Sequence, residues 1–303
     1  MNKSTVDLTF SDIVLIILKK KILIGLITLF FSIVGIIYSY SIDEVYQSSA
    51  RLITKENNSN LSSALGSFSG LSVLGGLAEG PKNTNTIYAE ELIVSKEFIL
   101  NLMIENDMLN YFYAFEAWDK SANKIFYNNE SFINTKEYVK NLNSLDTRVI
   151  SDEIFNFYMD LIDLKKNKNG VYTITFDYYS PHFAQEFLEI LIRSVNEYIR
   201  ISDLKKSDLA IKYLSSQLDT NSNNAVKDSV GRLIEVNLNT KMLAMISIDN
   251  YVFELIEKPN LSGKKVYPSK TRILLLSLLI GFLISVSFVL ILYFIKNDLK
   301  AED

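Results

Sequence analysis

Two long apolar runs, one near each end of the chain, most constrain what this sequence can fold into. Neither charge nor proline occurs from Ile22 to Tyr40, and a second uncharged run extends from Ile273 to Ile295. At about 1.5 Å of rise per residue, each run is long enough as a helix to cross roughly 30 Å of hydrocarbon. The sequence therefore predicts two membrane-spanning helices, residues 22–40 and residues 273–295.

The first run could instead be the apolar core of a signal peptide. Such a core usually has only about 7 to 15 residues behind a short basic start. Here the preceding segment is long and carries Asp7 and Asp12, although Ser39–Ser41 resembles a small-x-small cleavage site. The second run at the other end of the chain favours a permanent anchor.

Two spans place both chain ends on one side of the membrane. Lys19, Lys20 and Lys21 precede the first span, and cytoplasmic flanks of spans are enriched in such residues. Residues 1–21 and 296–303 are therefore predicted to be cytoplasmic, and residues 41–272 to form the domain outside. Four basic residues at the outer end of the second span oppose this orientation, but the first span usually dominates: Lys264, Lys265, Lys270 and Arg272.

Charge and composition exclude several classes of function. Residues 41–272 carry 25 Lys and Arg against 30 Asp and Glu, a balance of 25 − 30 = −5, so they lack the basic excess typical of nucleic-acid binding. The chain has no cysteine, and His182 is its only histidine. Histidine-based catalytic triads, multi-histidine metal sites and thiolate sites are therefore not expected. The sequence predicts no enzyme activity, no cofactor and no nucleic-acid partner.

Adjacent carboxylates offer no better catalytic candidate. Glu90 with Glu91, and Asp152 with Glu153, are interpreted as residues at helix starts, where they favour the helix dipole. An acid–base pair would instead need two carboxylates that face each other across a cleft.

Three segments with β-branched and aromatic character predict one small sheet near the membrane. They are VYQSSARLIT from Val45, VYTITFDY from Val171 and YVFELIE from Tyr251. Because they come from both ends of the region between the spans, they predict an α+β domain that is closed above the two membrane helices.

A long helical arm is predicted over about residues 181–250. Ser180 and Pro181 give a helix-start signal, and apolar residues recur at helical spacing on both sides of the polar stretch DTNSNNA. Helices of about 35 and 25 residues would be roughly 50 and 40 Å long. An arm with one apolar stripe must bury it, and neighbouring copies of the chain are the simplest candidate.

Residues 89–169 are predicted to form several short helices, including a stretch around Trp118. Their aromatic side chains could stack on sugar rings, but filling a core is their more common role. The Gly- and Ser-rich segment Leu61–Gly80 lacks the pattern of a phosphate-binding loop and is interpreted as a loop or helix that packs on a neighbour.

Small residues mark one face of the second span. Ser277, Gly281 and Ser285 are spaced four apart, the pattern that lets helix backbones approach closely in lipid. Such spacing also arises by chance. Just before the span, Pro259 and Pro268, with the intervening NLSGKKVY, predict a stiff, non-helical junction between the last strand and the membrane.

These features together resemble the polysaccharide co-polymerases, specifically the Wzz-type chain length determinants of lipopolysaccharide O antigen. The resemblance covers nearly the whole chain and is carried by a lysine-rich first span, VYQSSARLIT, LGSFSGLSVLGG, SKEFILNLM and the segment YYSPHFAQEFLEILIRSVNEYI. Its most specific part is the stretch before the second span, in which Pro259, Pro268 and Lys270 resemble the proline-rich junction of that family. The chain has fewer prolines at that junction than many relatives and one glycine, Gly281, in the second span.

The resemblance implies a non-enzymatic protein of the bacterial inner membrane, with its bulk in the periplasm. It implies a ring-shaped homo-oligomer, commonly an octamer, that acts with the Wzy polymerase on undecaprenyl-linked polysaccharide and sets its length. The lipid-linked glycan is then a further partner.

Two alternatives stay open. A co-polymerase for capsule or exopolysaccharide would usually carry or pair with a cytoplasmic tyrosine kinase, and the tail KNDLKAED has neither a nucleotide-binding loop nor a tyrosine cluster. A two-span periplasmic sensor would need a cytoplasmic output domain, for which this tail is too short.

Overall fold

The computed structural model describes residues 10–54, 84–142, 144–220, 224–261, 263 and 265–301. The segment Leu61–Gly80 lies outside these described residues. The helices are α1 Phe10–Lys19, α2 Lys21–Ser41, α3 Thr84–Ile93, α4 Lys96–Glu105, α5 Leu109–Tyr113, α6 Thr135–Lys140, α7 Leu145–Leu161, α8 Pro181–Thr220, α9 Asn224–Ile246 and α10 Lys270–Ala301. The strands are β1 Val45–Thr54, β2 Phe115–Asp119, β3 Lys124–Tyr127, β4 Ile162–Lys166, β5 Val171–Tyr178, β6 Phe253–Glu257 and β7 Lys265–Tyr267.

The chain divides into two compact units. The membrane unit consists of Met1–Val45 and Lys265–Asp303, and the domain unit of Tyr46–Lys264. Each unit has a hydrophobic cluster of its own.

Two helices of the membrane unit, α2 and α10, are long and apolar enough to cross a bilayer. They pack against each other, while most of their outward side chains stay exposed, as lipid-facing residues do. Helix α1 is separate from α2: it ends at Lys19, and Ile16 packs in one cluster with Ile24 of α2 and Val289 of α10. The segment before the first span is thus a helix that packs against the span helices.

The domain unit contains an antiparallel sheet with the order β4-β5-β1-β6. In the central pair, Tyr46 lies opposite Tyr178 and Leu52 opposite Tyr172. Buried and partly exposed residues alternate along β5, as expected of a strand with one face on the core. The buried face packs against α8, where the ring centroids of Phe176 and Phe187 are 4.5 Å apart.

Three strands lie within residues 89–169, where the sequence predicts short helices. The stretch around Trp118 is a β-hairpin, β2–β3, and α7 ends at Leu161, where β4 follows. Turn chemistry decides both cases. Asp119 accepts hydrogen bonds from the backbone N–H groups of Ser121 and Ala122, and Gly170 closes the β4–β5 turn at a φ of +79°.

Helices α8 and α9 have 40 and 23 residues, which gives lengths of about 60 and 35 Å. Ser180 caps α8 by accepting a hydrogen bond from the N–H of Phe183, with Pro181 at the first helical position. The first half of α8 buries its apolar residues in the domain core, whereas Leu209 and Tyr213 farther along are more than half exposed. The two helices pack on each other, and Lys241 pairs with Asp208 at 2.6 Å.

Candidate functional site

Gly281 lies at a close approach of α10 to α2. A methyl group on Gly281 would be 2.7 Å from Cβ of Phe31 and 3.3 Å from Cα of Thr28. Both distances are shorter than ordinary van der Waals contact between carbon atoms. The hydrogen of glycine is therefore what permits this approach.

Ser277 and Ser285 extend the same contact in both directions. A methyl group on Gly35 of α2 would lie 2.5 Å from Cβ of Ser277, so these two small residues face each other. Ser285 is fully buried, and its Oγ lies 3.5 Å from Oγ1 of Thr28. The structure thus places all three predicted packing residues on one helix face, opposite small residues of the first span.

The α2 half of this contact was missed by sequence reasoning. Its members are Thr28, Phe31 and Gly35, together with Ser32, whose Oγ donates to the carbonyl of Thr28. A signal for it exists, because Thr28 and Ser32, and then Gly35 and Ser39, are small residues spaced four apart.

The predicted junction residues divide between the two units. In the membrane unit, the Nζ of Lys270 lies 3.9 Å from the ring centroid of Tyr40, and Lys265 forms an ion pair with Glu44. Pro268, between them in sequence, follows a cis peptide bond. The ion pair joins the segment after α2 to the segment before α10, and the Lys270–Tyr40 contact joins the last turn of α2 to the first turn of α10.

Pro259 lies in the domain unit and is buried. The next residue, Asn260, is tied to β1, although sequence reasoning did not single it out. Its Oδ1 accepts from the N–H of Ser49 at 3.0 Å, and its carbonyl accepts from Oγ of Ser48 at 2.9 Å. Because these bonds fix the chain directly after Pro259, the chain that leaves β6 is anchored on β1.

A groove of 940 Å³ lies on the domain unit between α3, α4 and α8. Three aromatic rings line it: Tyr198 contacts both Tyr88 and Phe98, at centroid distances of 6.2 and 5.4 Å. A hydrogen bond with Tyr198 raises the pKa of the Tyr88 hydroxyl. Most charged groups on the walls are carboxylates, including Glu91 and Glu105.

The remaining candidates for chemistry are a histidine and two carboxylates. His182 is exposed in the first turn of α8. Glu90 accepts a hydrogen bond from the hydroxyl of Tyr172, and Asp152 pairs with Lys96. The placement of these carboxylates at helix starts was wrong: Glu90 lies near the end of α3 and Asp152 in the middle of α7. Within the described ranges, no group of three His, Cys, Asp or Glu residues could hold a metal ion.

Many of the aromatic residues of the domain unit contribute to its core. Tyr111 stacks on Phe183 at 4.0 Å, and Phe112 contacts Tyr158, Phe176 and Phe187. Burial raises the pKa of the Tyr158 hydroxyl, which donates to the carbonyl of Ile93 at 2.8 Å. These rings are therefore packing residues.

Comparison with known proteins yields one family. Residues 6–105 match the Wzz family, described as chain length determinant protein. Among solved structures, a "full-length bacterial polysaccharide co-polymerase" is 12% identical, with a TM-score of 0.39 and coverage of 95% of this chain and 99% of the other. A fragment of WzzB, a polysaccharide co-polymerase from Salmonella Typhimurium, is 13% identical, with a TM-score of 0.33 and coverage of 74% of this chain and 100% of the other. No curated protein matches the chain significantly.

The matched residues include α1, the first apolar helix, β1, α3 and α4. The predicted resemblance is confirmed over this part of the chain, which matches the family of Wzz chain length determinants. The predicted fold class is confirmed as well, since a small sheet and long helices lie in sequence between two apolar helices.

Proposed function

We propose that this protein sets the chain length of lipopolysaccharide O antigen, without catalysing a reaction itself. It would act with the Wzy polymerase on undecaprenyl-linked glycan. The observation that carries this proposal is the match of residues 6–105 to the chain length determinant family.

The protein acts, in this proposal, as a homo-oligomeric ring, and an octamer is the size expected from the resemblance. The supporting observation is the apolar surface on the outer part of the arm. Leu209, Tyr213 and Met242 are 63%, 65% and 61% exposed, which is costly in water unless another surface covers them. Copies of the same helices, arranged around a closed ring, would cover it.

We place the protein in the bacterial inner membrane, with α2 and α10 as spans, both termini in the cytoplasm and the domain unit in the periplasm. The triple lysine Lys19–Lys21 before the first span supports this orientation. Contact between α2 and α10 at Gly281 would hold the two spans of one copy together.

The test is the lipopolysaccharide ladder on a gel, from a strain deleted for the gene and from the same strain complemented. Deletion should turn a clustered set of lengths into a broad, short-biased one, and complementation should restore the cluster. An unchanged ladder together with altered capsule size would instead identify a co-polymerase for capsule or exopolysaccharide.

A further inference from the structure

A groove of 470 Å³ lies within the membrane unit, between α1, α2 and α10. Ile17 of α1 and Phe282 of α10 contribute to its walls, and residues of α2 line it from Lys21 to Ser32. Residues 21–32 extend over about 16 Å of helix at 1.5 Å per residue. Because the hydrocarbon of a bilayer is roughly 30 Å thick, the groove has about the length of one leaflet.

The lining of this groove is apolar except at the start of α2. The hydroxyl of Thr28 donates to the carbonyl of Ile24 at 2.8 Å, and that of Ser32 donates to the carbonyl of Thr28 at 3.0 Å. Both hydroxyl protons are therefore bonded to the backbone of α2. Of the described residues that line the groove, Lys21 alone is charged, and it is the first residue of α2.

The charge at this end of the groove is positive. Lys21 belongs to the triple lysine Lys19–Lys21, whose side chains are all exposed. Among the side chains that the structure describes, no carboxylate pairs with any of the three. With α2 and α10 as spans, the interior of the groove lies in hydrocarbon and the lysines lie at the head-group level. An acyl chain matches the apolar interior, and a phosphate matches the basic end.

We propose that this groove binds an anionic phospholipid of the cytoplasmic leaflet, with its phosphate at Lys21 and one acyl chain between α1, α2 and α10. Basic pockets between membrane helices on the cytoplasmic side are known to bind anionic head groups. The lipid completes the packing of α1 against the spans. This proposal rests on the proposed placement of α2 and α10 as spans. The site is separate from the Gly281 contact, and its loss is not expected to change polymer length.

Two neighbouring residues of α2 allow a matched test. Leu29 lines the groove and Phe30 does not, although both side chains are more than half exposed. Trp118 is the only tryptophan in the chain, so Trp118→Phe gives a background for one new tryptophan. Full-length Trp118→Phe/Leu29→Trp and Trp118→Phe/Phe30→Trp are reconstituted into vesicles of phosphatidylcholine and phosphatidylglycerol, in which one of the two lipids carries brominated acyl chains.

Flotation separates a failure of the spans from a failure of the lipid site. Protein that does not float with the vesicles would contradict both, whereas inserted protein tests the site alone. We expect brominated phosphatidylglycerol to quench Leu29→Trp more strongly than brominated phosphatidylcholine at the same mole fraction. Phe30→Trp should be quenched equally by the two lipids.

Lysine variants test the head-group contact. A lysine near an anionic surface contributes about 1 kcal/mol, a factor of about five. Lys21→Gln should therefore lower the preference for phosphatidylglycerol at Leu29→Trp about fivefold. Lys20→Gln removes the same charge from a position that does not line the groove, and it should lower the preference less.

Three results with inserted protein would overturn the proposal. Equal quenching of Leu29→Trp by the two lipids would show that the groove takes lipid without regard to its head group. Quenching of Phe30→Trp but not of Leu29→Trp would show that protein, such as a second copy of the chain, covers the groove. An equal loss of preference in Lys20→Gln and Lys21→Gln would assign the effect to the total charge of the cluster.

Discussion

Gly281 is expected to tolerate no large side chain, because a Cβ there already approaches Cβ of Phe31 to 2.7 Å. Gly281→Leu should force α2 and α10 apart, and overpacking of this kind typically costs about 1 to 3 kcal/mol. We expect a shifted chain-length distribution on the lipopolysaccharide gel, with the domain unit still folded by limited proteolysis.

Gly25 provides the matched control for Gly281. It lies in α2, and a Cβ there would have no atom within 4 Å. Gly25→Leu should therefore leave the distribution unchanged. A normal ladder from well-expressed Gly281→Leu would show that this contact has no part in length control.

Asn196 fixes the start of β6 to α8. Its Oδ1 accepts from the N–H groups of Val252 and Phe253, and its Nδ2 donates to the carbonyls of Asp249 and Phe253. Asn196→Ala would leave several buried backbone groups unpaired, at about 1 to 3 kcal/mol each. We expect a clear fall in the melting temperature of the protein in detergent, whereas Glu189→Ala on the exposed side of α8 should change it little. Equal melting temperatures would contradict this role for Asn196.

At the scale of elements, the β2–β3 hairpin should be sensitive to acid. Hydrogen bonds from the hydroxyl and N–H of Ser121, and from the N–H of Ala122, lower the pKa of Asp119 below its ordinary value. A carboxylate with a lowered folded-state pKa stabilises the fold above its unfolded pKa, about 4, and this contribution is lost as pH falls through the folded value. Trp118 emission should therefore change only below about pH 4.

Asp119→Asn supplies the control, since its side chain cannot titrate. In this variant the acid transition of Trp118 emission should be absent or altered in midpoint. If the unmodified protein and Asp119→Asn show the same acid transition, another carboxylate is responsible for it.

The hairpin also shows where element prediction fails. Trp118 and its neighbours are aromatic and apolar enough to be assigned to a helix, and β-strand preference depends strongly on what a strand packs against. Here the strand is stabilised by Tyr46, which is 72 residues away in sequence. The turn residues Asp119 and Asn123 were the available local signal.

At the scale of the whole molecule, the proposed topology can be tested by labelling, because the chain has no cysteine to interfere. Single cysteines at Ser4 and Glu302 should react with a membrane-impermeant maleimide only after the inner membrane is opened. A cysteine at Ser215, an exposed position on α8, should react when the outer membrane alone is permeabilised. The reverse pattern would invert the orientation, and labelling of the two termini on opposite sides would exclude two spans.

The two apolar helices and strands such as β1 and β5 could be predicted from local sequence patterns. A membrane-spanning helix needs an unbroken apolar run, and a half-buried strand needs alternating apolar and polar residues. Both patterns are found within a short stretch of sequence. The same holds for Ser277, Gly281 and Ser285, whose four-residue spacing places them on one helix face whatever that face contacts.

The contacts that these residues make follow from the packing of the helices and could not be predicted from the sequence. The pairing of Ser285 with Thr28, of Ser277 with Gly35 and of Lys270 with Tyr40 joins residues more than 200 positions apart. Each pair depends on how far α2 and α10 are rotated about their axes, which a local pattern does not specify. Close packing selects that rotation, because only small residues allow the two backbones to meet.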